Sequence, residues 1–224
     1  MKMLRKPSYF AGLDLGQTHE LTSLAIVEQT VVESTTPVLR LYAVRYLRRF
    51  ALGTPYADLA THVAMLFAKP PLAQSRLMVD QTIVGRPVVE ELRRARIQAK
   101  LSALAITAGL HSGMGEGGVL KVPKQELVST MQVLLQSRRL SVASSLPEAA
   151  MLATELANFK LKQPPNGDDI ADWREAKHDD LVFAVAIAVW QGERERLPWT
   201  TSSAGVAISG CPGIEPPRPR PRRY

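Results

Sequence analysis

The apolar positions between residues 8 and 50 fall into three β-rich runs. Residues 8–15 read as a buried strand that Asp14 interrupts near its end. Residues 21–32 are rich in Ile, Val and Thr, and residues 38–50 alternate, with Leu39, Leu41 and Ala43 set against Arg40, Tyr42 and Arg45. Three consecutive strands joined by short polar turns predict an antiparallel meander. After Pro55 the period changes: apolar residues at 59, 60, 63, 66 and 67 predict a helix over 56–67 that Pro70-Pro71 closes. Residues 77–80 (Leu-Met-Val-Asp) form a short apolar strand ending in an acid, and Pro87 opens a helix to about Ile97. A strand over 101–107, a glycine-rich hairpin or loop over 109–118, and helices over 124–135, 148–159 and 178–191 complete the pattern, with a loop at 163–168.

This βββ, α, β, α, β order followed by helices predicts an α/β protein, a mixed sheet with helices on both faces. There are no internal repeats. At 224 residues and a 46% apolar content, the chain suits one domain with a proper core. We expect that domain at 8–192 and a Pro/Arg-rich tail at 193–224. The longest apolar run, Leu181 to Trp190, is too short for the ~20 residues of a membrane-spanning helix. No apolar signal core follows the basic N-terminus before Asp14, and the expected location is the cytoplasm of a bacterial host cell. A single cysteine, Cys211, excludes a disulfide framework and a cysteine-rich zinc site. The formal charge is +7, but the last nine residues hold four arginines and no acid, which leaves +3 for the rest. Charge alone is thus weak evidence for a polyanionic partner.

Three acids stand at the ends of apolar elements: Asp14, Asp80, and the Asp179-Asp180 pair that opens the most apolar helix. Taken singly, Asp80 fits a strand-end turn and one of Asp179-Asp180 an N-cap. Taken together they demand more, because a carboxylate among buried residues costs several kcal/mol unless it is paired or binds a cation. The order of elements is the one found in ribonuclease-H-like nucleases, and it brings the ends of the first and fourth strands side by side. Carboxylates without histidine or thiol partners favour Mg²⁺ or Mn²⁺ over zinc. Two such ions about 4 Å apart suit in-line phosphodiester hydrolysis.

Four segments carry a more specific resemblance: Gly12-Leu-Asp-Leu-Gly-Gln-Thr, Val79-Asp-Gln-Thr-Ile-Val-Gly-Arg-Pro-Val-Val, Val122-Pro-Lys-Gln-Glu-Leu-Val and His178-Asp-Asp-Leu-Val-Phe-Ala-Val-Ala-Ile-Ala. Together they resemble the nuclease domain of the large terminase subunit of tailed phages, over roughly residues 9–192. That resemblance implies a ribonuclease-H-like fold and a two-metal endonuclease cutting double-stranded viral DNA during packaging. It implies that Asp14 bridges both ions, that Asp80 ligates one, and that Asp180 supplies the last ligand, with Asp179 a helix cap or second ligand. At Phe183, where many relatives carry a further acid, this chain departs from the pattern. It also lacks a Gly-x4-Gly-Lys-Ser/Thr loop. The expectation is a nuclease half working with a separate packaging ATPase or portal.

Arg86, Lys121 and Lys124 are candidate DNA contacts, and Arg93, Arg94 and Arg96 fit either phosphate contacts or a solvated helix face. His178 beside the Asp pair is a candidate supporting group. His19 reads as a loop surface residue, and His62 has no obvious partner. Two other readings stay open: a non-catalytic ribonuclease-H-like module tethering an ATPase or portal, and a Holliday-junction-resolvase-like nuclease. The Pro-Arg alternation from about Pro212 onward cannot build a core and is expected to add non-specific DNA affinity. Truncation before Pro212 should therefore flatten the salt dependence of DNA binding, measured as the slope of log K against log salt; an unchanged slope would assign the tail another purpose.

Overall fold

The computed structural model describes residues 6–16, 20–32, 38–82, 86–115, 118–159 and 179–195. Strands β1 (Ser8–Asp14), β2 (Ser23–Val32) and β3 (Leu39–Arg49) form the expected antiparallel meander. After helix α1 (Tyr56–Phe67) the chain returns as β4 (Arg76–Asp80), which lies parallel to β1 on its other side. Helix α2 (Arg86–Arg94) leads to β5 (Lys100–Thr107), parallel to β4. The glycine-rich stretch carries β6 (Gly113–Met114), a short arm antiparallel to β7 (Leu120–Pro123), and β7 is parallel to β5. Helix α3 (Lys124–Gln136), strand β8 (Leu140–Val142), helix α4 (Ala149–Asn158) and helix α5 (Asp180–Arg194) follow. Among the described residues this makes one eight-stranded mixed sheet in the order β6-β7-β5-β4-β1-β2-β3-β8.

Side-chain alternation divides the core in two. Phe10 of β1, Met78 of β4 and Leu104 and Ile106 of β5 face α3, α4 and α5. Ala11 and Leu13, Leu77 and Val79 face α1 and α2 on the other side. Helices therefore cover both faces, as the element order predicts. Helix α5 is buried from Leu181 to Gly192 except for Phe183, which explains why it is apolar on nearly every side. Its axis crosses β1 at Gly12, where a Cβ would lie 2.1 Å from the Ala184 carbonyl oxygen and 2.9 Å from the Ala188 nitrogen. Only a residue without a side chain permits that approach.

Hydrogen bonds anchor the far end of α5. Gln29 Nε2 donates to the Gly192 carbonyl at 2.9 Å and to the Tyr42 hydroxyl at 2.8 Å. Tyr42 donates to Glu193 Oε1 at 2.9 Å, and Arg40 donates to the carbonyls of Glu193 and Glu195. Burial, with Glu193 close by, drives the Tyr42 hydroxyl far above its ordinary pKa, so it stays a donor. These bonds carry α5 past Gly192, the expected domain edge, to Arg194.

Three expectations need correction. The fully buried face of β3 is Tyr42, Val44 and Leu47, whereas Leu39, Leu41 and Ala43 are half-buried. A register shift against β2 between Ile26 and Val27 places a bulge in the pair, and the face parity changes across it. Strands β7 and β8, of four and three residues, are too short for periodicity to announce. Helix α2 stops at Arg94, short of Ile97, because Arg96 turns the chain through a left-handed φ of 52°. The 163–168 loop and residues 196–224 of the tail lie outside the described residues.

Gly12→Ala should cost about 3 kcal/mol or more, since backbone of a packed helix, not a flexible side chain, occupies the space. Urea denaturation of the variant checks this, and a loss below about 1 kcal/mol would mean that α5 can shift away from β1 at little cost.

Candidate active site

Asp14 and Asp80 end adjacent parallel strands and are direct register partners. Strand spacing puts their backbones about 4.8 Å apart. Alternation turns both toward the α5 face, since Asp14 shares parity with Phe10 and Gly12, and Asp80 with Met78. Asp80 is buried at 5% exposure, and Asp14 is half-buried. Local bonds orient Asp80: its Oδ1 accepts the Thr82 backbone N–H at 2.8 Å and the Thr82 hydroxyl. The Thr82 oxygen in turn accepts the Ile106 N–H of β5 at 2.7 Å. Beyond Asp14 the chain is held at Gly16, whose N–H donates to Thr22 and whose carbonyl accepts the Tyr56 hydroxyl.

Asp180 reaches the same end of the sheet from the helix layer. Its helix runs antiparallel to β1: Gly192 lies at the Gln29 end, and Gln29 pairs with Ser8. The N-terminus of α5 is thereby brought to the end where β1 and β4 finish. Arg49, which ends β3, pairs with Ser23, and Ser23 pairs with Asp14. The Arg49 guanidinium lies 3.8 Å from Asp180 Oδ2 and is hydrogen-bonded to Glu155 of α4. Glu155 Oε2 accepts the backbone N–H groups of Leu181 at 3.1 Å and Val182 at 3.2 Å, the first orphan donors of α5. Asp179 occupies the N-cap position, but its side chain makes no capping hydrogen bond. The cap is supplied by Glu155 from another helix, which corrects the capping half of the expectation for Asp179.

Neither Glu155 nor Arg49 was foreseen. The signal for Glu155 was present: Leu152, Glu155, Leu156 and Phe159 share one stripe at helical spacing, and an acid on such a stripe must find partners. Arg49 was hidden by the bulge in the β2–β3 pair, which turns it onto the α5 face.

The basic candidates are spread along the sheet end. Lys124 opens α3 just after β7, and its ammonium sits over the rings of Phe183 at 4.9 Å and Phe159 at 5.7 Å. Those rings meet edge to face at 6.0 Å, so Phe183 contributes to a cation–π site where an acid was the family expectation. Lys121 is exposed on β7, and Arg86 is exposed at the start of α2 on the opposite layer. Arg93 and Arg94 pair with Glu90 and Glu91 one turn back, as a solvated helix face would. His62, expected to lack a partner, lies against the Tyr46 hydroxyl, Arg48 and the Phe50 ring. Burial and the Arg48 charge lower its pKa, so it is neutral near pH 7. His178 and His19 lie outside the described residues.

Among the described residues, no three histidine, cysteine, aspartate or glutamate side chains are already drawn together as a cage. What exists is a register pair of carboxylates on two strands, with a third carboxylate delivered to the same end by a helix. An all-carboxylate set of this kind fits Mg²⁺ or Mn²⁺ and does not fit zinc.

No protein-family model matches the sequence, and no match to a curated protein is found. Solved structures do match the backbone. The large terminase nuclease from thermophilic phage G20c aligns with a TM-score of 0.53 and 20% identity, over 83% of this chain and 83% of that one. The g2p (large terminase) nuclease domain from bacteriophage SPP1 with bound Mn aligns with a TM-score of 0.50 and 12% identity, over 83% and 86%. The fold is that of the large-terminase nucleases. Its ribonuclease-H-like sheet agrees with the expectation from the order of elements. None of the helices among the described residues is long and apolar enough to cross a membrane.

Thr82→Val should destabilise the protein by about 1–3 kcal/mol, because it leaves the buried Ile106 N–H without its acceptor and removes the hydroxyl bond to Asp80. Urea denaturation measures the loss; a variant as stable as the parent would mean that Asp80 is oriented by other bonds.

Proposed function

We propose that this protein is a metal-dependent DNA endonuclease of the large-terminase type, cutting viral double-stranded DNA during genome packaging. The observation that carries the reading is the register pairing of Asp14 with Asp80 at the ends of adjacent parallel strands. Two charged aspartates in direct register on one face repel each other, and a cation between them would offset that repulsion. The large-terminase nuclease fold and the Mn bound to the SPP1 domain support the same reading.

In this reading Asp14, Asp80 and Asp180, with Asp179 beside the last, hold two Mg²⁺ or Mn²⁺ ions. Bound there, the ions supply a water of lowered pKa and a charge that stabilises the leaving oxygen. Asp14, on the central strand, would be the ligand shared between them, and Asp80, oriented by Thr82, would serve one. Lys124, Lys121 and Arg86 offer positive charge to backbone phosphates, a contact that positions DNA without reading its sequence. Cutting during packaging would engage a packaging ATPase or portal as partner.

Supercoiled plasmid incubated with Mg²⁺, Mn²⁺ or EDTA tests the activity, with cleavage expected in the metals and none in EDTA. Asp14→Asn should reduce cleavage by orders of magnitude while leaving the protein folded, since it removes the shared ligand and relieves carboxylate repulsion. Mn²⁺ should raise the melting temperature of the parent by several degrees and that of Asp14→Asn little. A parent protein whose melting ignores Mn²⁺ and which leaves plasmid intact would refute the proposal.

A further inference from the structure

Glu155 is a buried carboxylate at 4% exposure on α4, an element that contributes no proposed ligand. Its two oxygens have separate tasks. Oε2 accepts the Leu181 and Val182 N–H groups and so caps α5, whose own N-cap residue makes no capping bond. Oε1 holds Arg49, whose same nitrogen lies 3.8 Å from Asp180 Oδ2. Arg49 is thus hydrogen-bonded to Glu155 and makes a longer ion pair, beyond hydrogen-bonding distance, with Asp180. The formal charges of Glu155, Arg49 and Asp180 sum to one negative charge, and without Glu155 they sum to none. A guanidinium free to close on Asp180 would form a strong charge-assisted pair on the oxygens that a cation needs.

We propose that Glu155 is a positioning residue for the metal ligand Asp180: it holds the first turn of α5 and, by engaging Arg49, keeps the long ion pair between the guanidinium and Asp180 from closing into a hydrogen-bonded one. The inference rests on the metal reading above and assigns two residues that the resemblance does not. Asp180 then depends on a helix-to-strand ion pair, Glu155 with Arg49, that itself binds no ion.

The test is titration with Mn²⁺, following the free-ion electron paramagnetic resonance signal, on the parent, Glu155→Gln, Arg49→Gln and the double variant. Glutamine keeps a carbonyl that can accept the α5 N–H groups but removes the charge that restrains Arg49. Glu155→Gln should bind Mn²⁺ about 10-fold more weakly, and adding Arg49→Gln should restore affinity to within about 3-fold of the parent. A merely structural role for Glu155 predicts no such rescue. Arg49→Gln alone leaves Glu155 in place and should bind at least as tightly as the parent, which keeps the test valid if Glu155→Gln fails to melt cooperatively. Affinity unchanged in Glu155→Gln, a double variant as weak as the single one, or weakened binding in Arg49→Gln would each overturn the inference while leaving the metal reading intact. A parent protein that leaves all Mn²⁺ free would overturn both.

Discussion

The approach of α5 to β1 at Gly12 is the contact on which the rest of the structure depends. The helix backbone lies where a Cβ would be, with the Ala184 carbonyl 2.1 Å from that point, so the two elements are as close as a strand and a helix can pack. Asp14 follows Gly12 by two residues on the same face, and Asp180 precedes Ala184 by one helical turn. A single contact in the core therefore sets the level along the sheet at which the helix places Asp180 relative to Asp14. Van der Waals packing acts here as the ruler for an electrostatic site.

That ruler is fixed at both ends by buried polar groups. At the C-terminal end of α5, Gln29, Tyr42 and Arg40 take up carbonyls and the Glu193 carboxylate, with Arg139 closing on Glu193 at 3.3 Å. Trp190 Nε1 donates to Glu126 of α3 at 2.8 Å, which ties the helix layer together. At the N-terminal end, Glu155 provides a cap from outside the helix. Buried polar networks cost free energy unless fully satisfied, and in return they define one arrangement. A helix as apolar as α5 is from Leu181 to Trp190 could otherwise slide or rotate over the sheet with little change in energy.

Charge is graded across the sheet end. Asp14 and Asp80 lie at its centre on β1 and β4, with Arg49 on one side at the end of β3 and Lys124 on the other beyond β7. Each flanking cation is already engaged, Arg49 by Glu155 and Lys124 by the rings of Phe159 and Phe183. Phe183 thus presents an aromatic face beside the Asp pair. Negative charge thus lies at the centre of this end of the sheet and positive charge at its flanks.

Much of this was legible in the chain. Helix α1 and the meander follow directly from apolar spacing, and the three acids stood out because each interrupts an apolar element. Local pattern carries such information because helix and strand periods repeat within a few residues. The register of Asp14 on Asp80, the external cap by Glu155 and the inward turn of Arg49 were decided only by the tertiary structure. Register depends on how strands distant in sequence pair, the cap on which helix end falls beside α4, and the facing of Arg49 on a bulge that reverses parity within one strand. Each is a relation between segments far apart in the chain. Periodicity within a segment determines which face is apolar; the packing of segments determines which polar groups must meet.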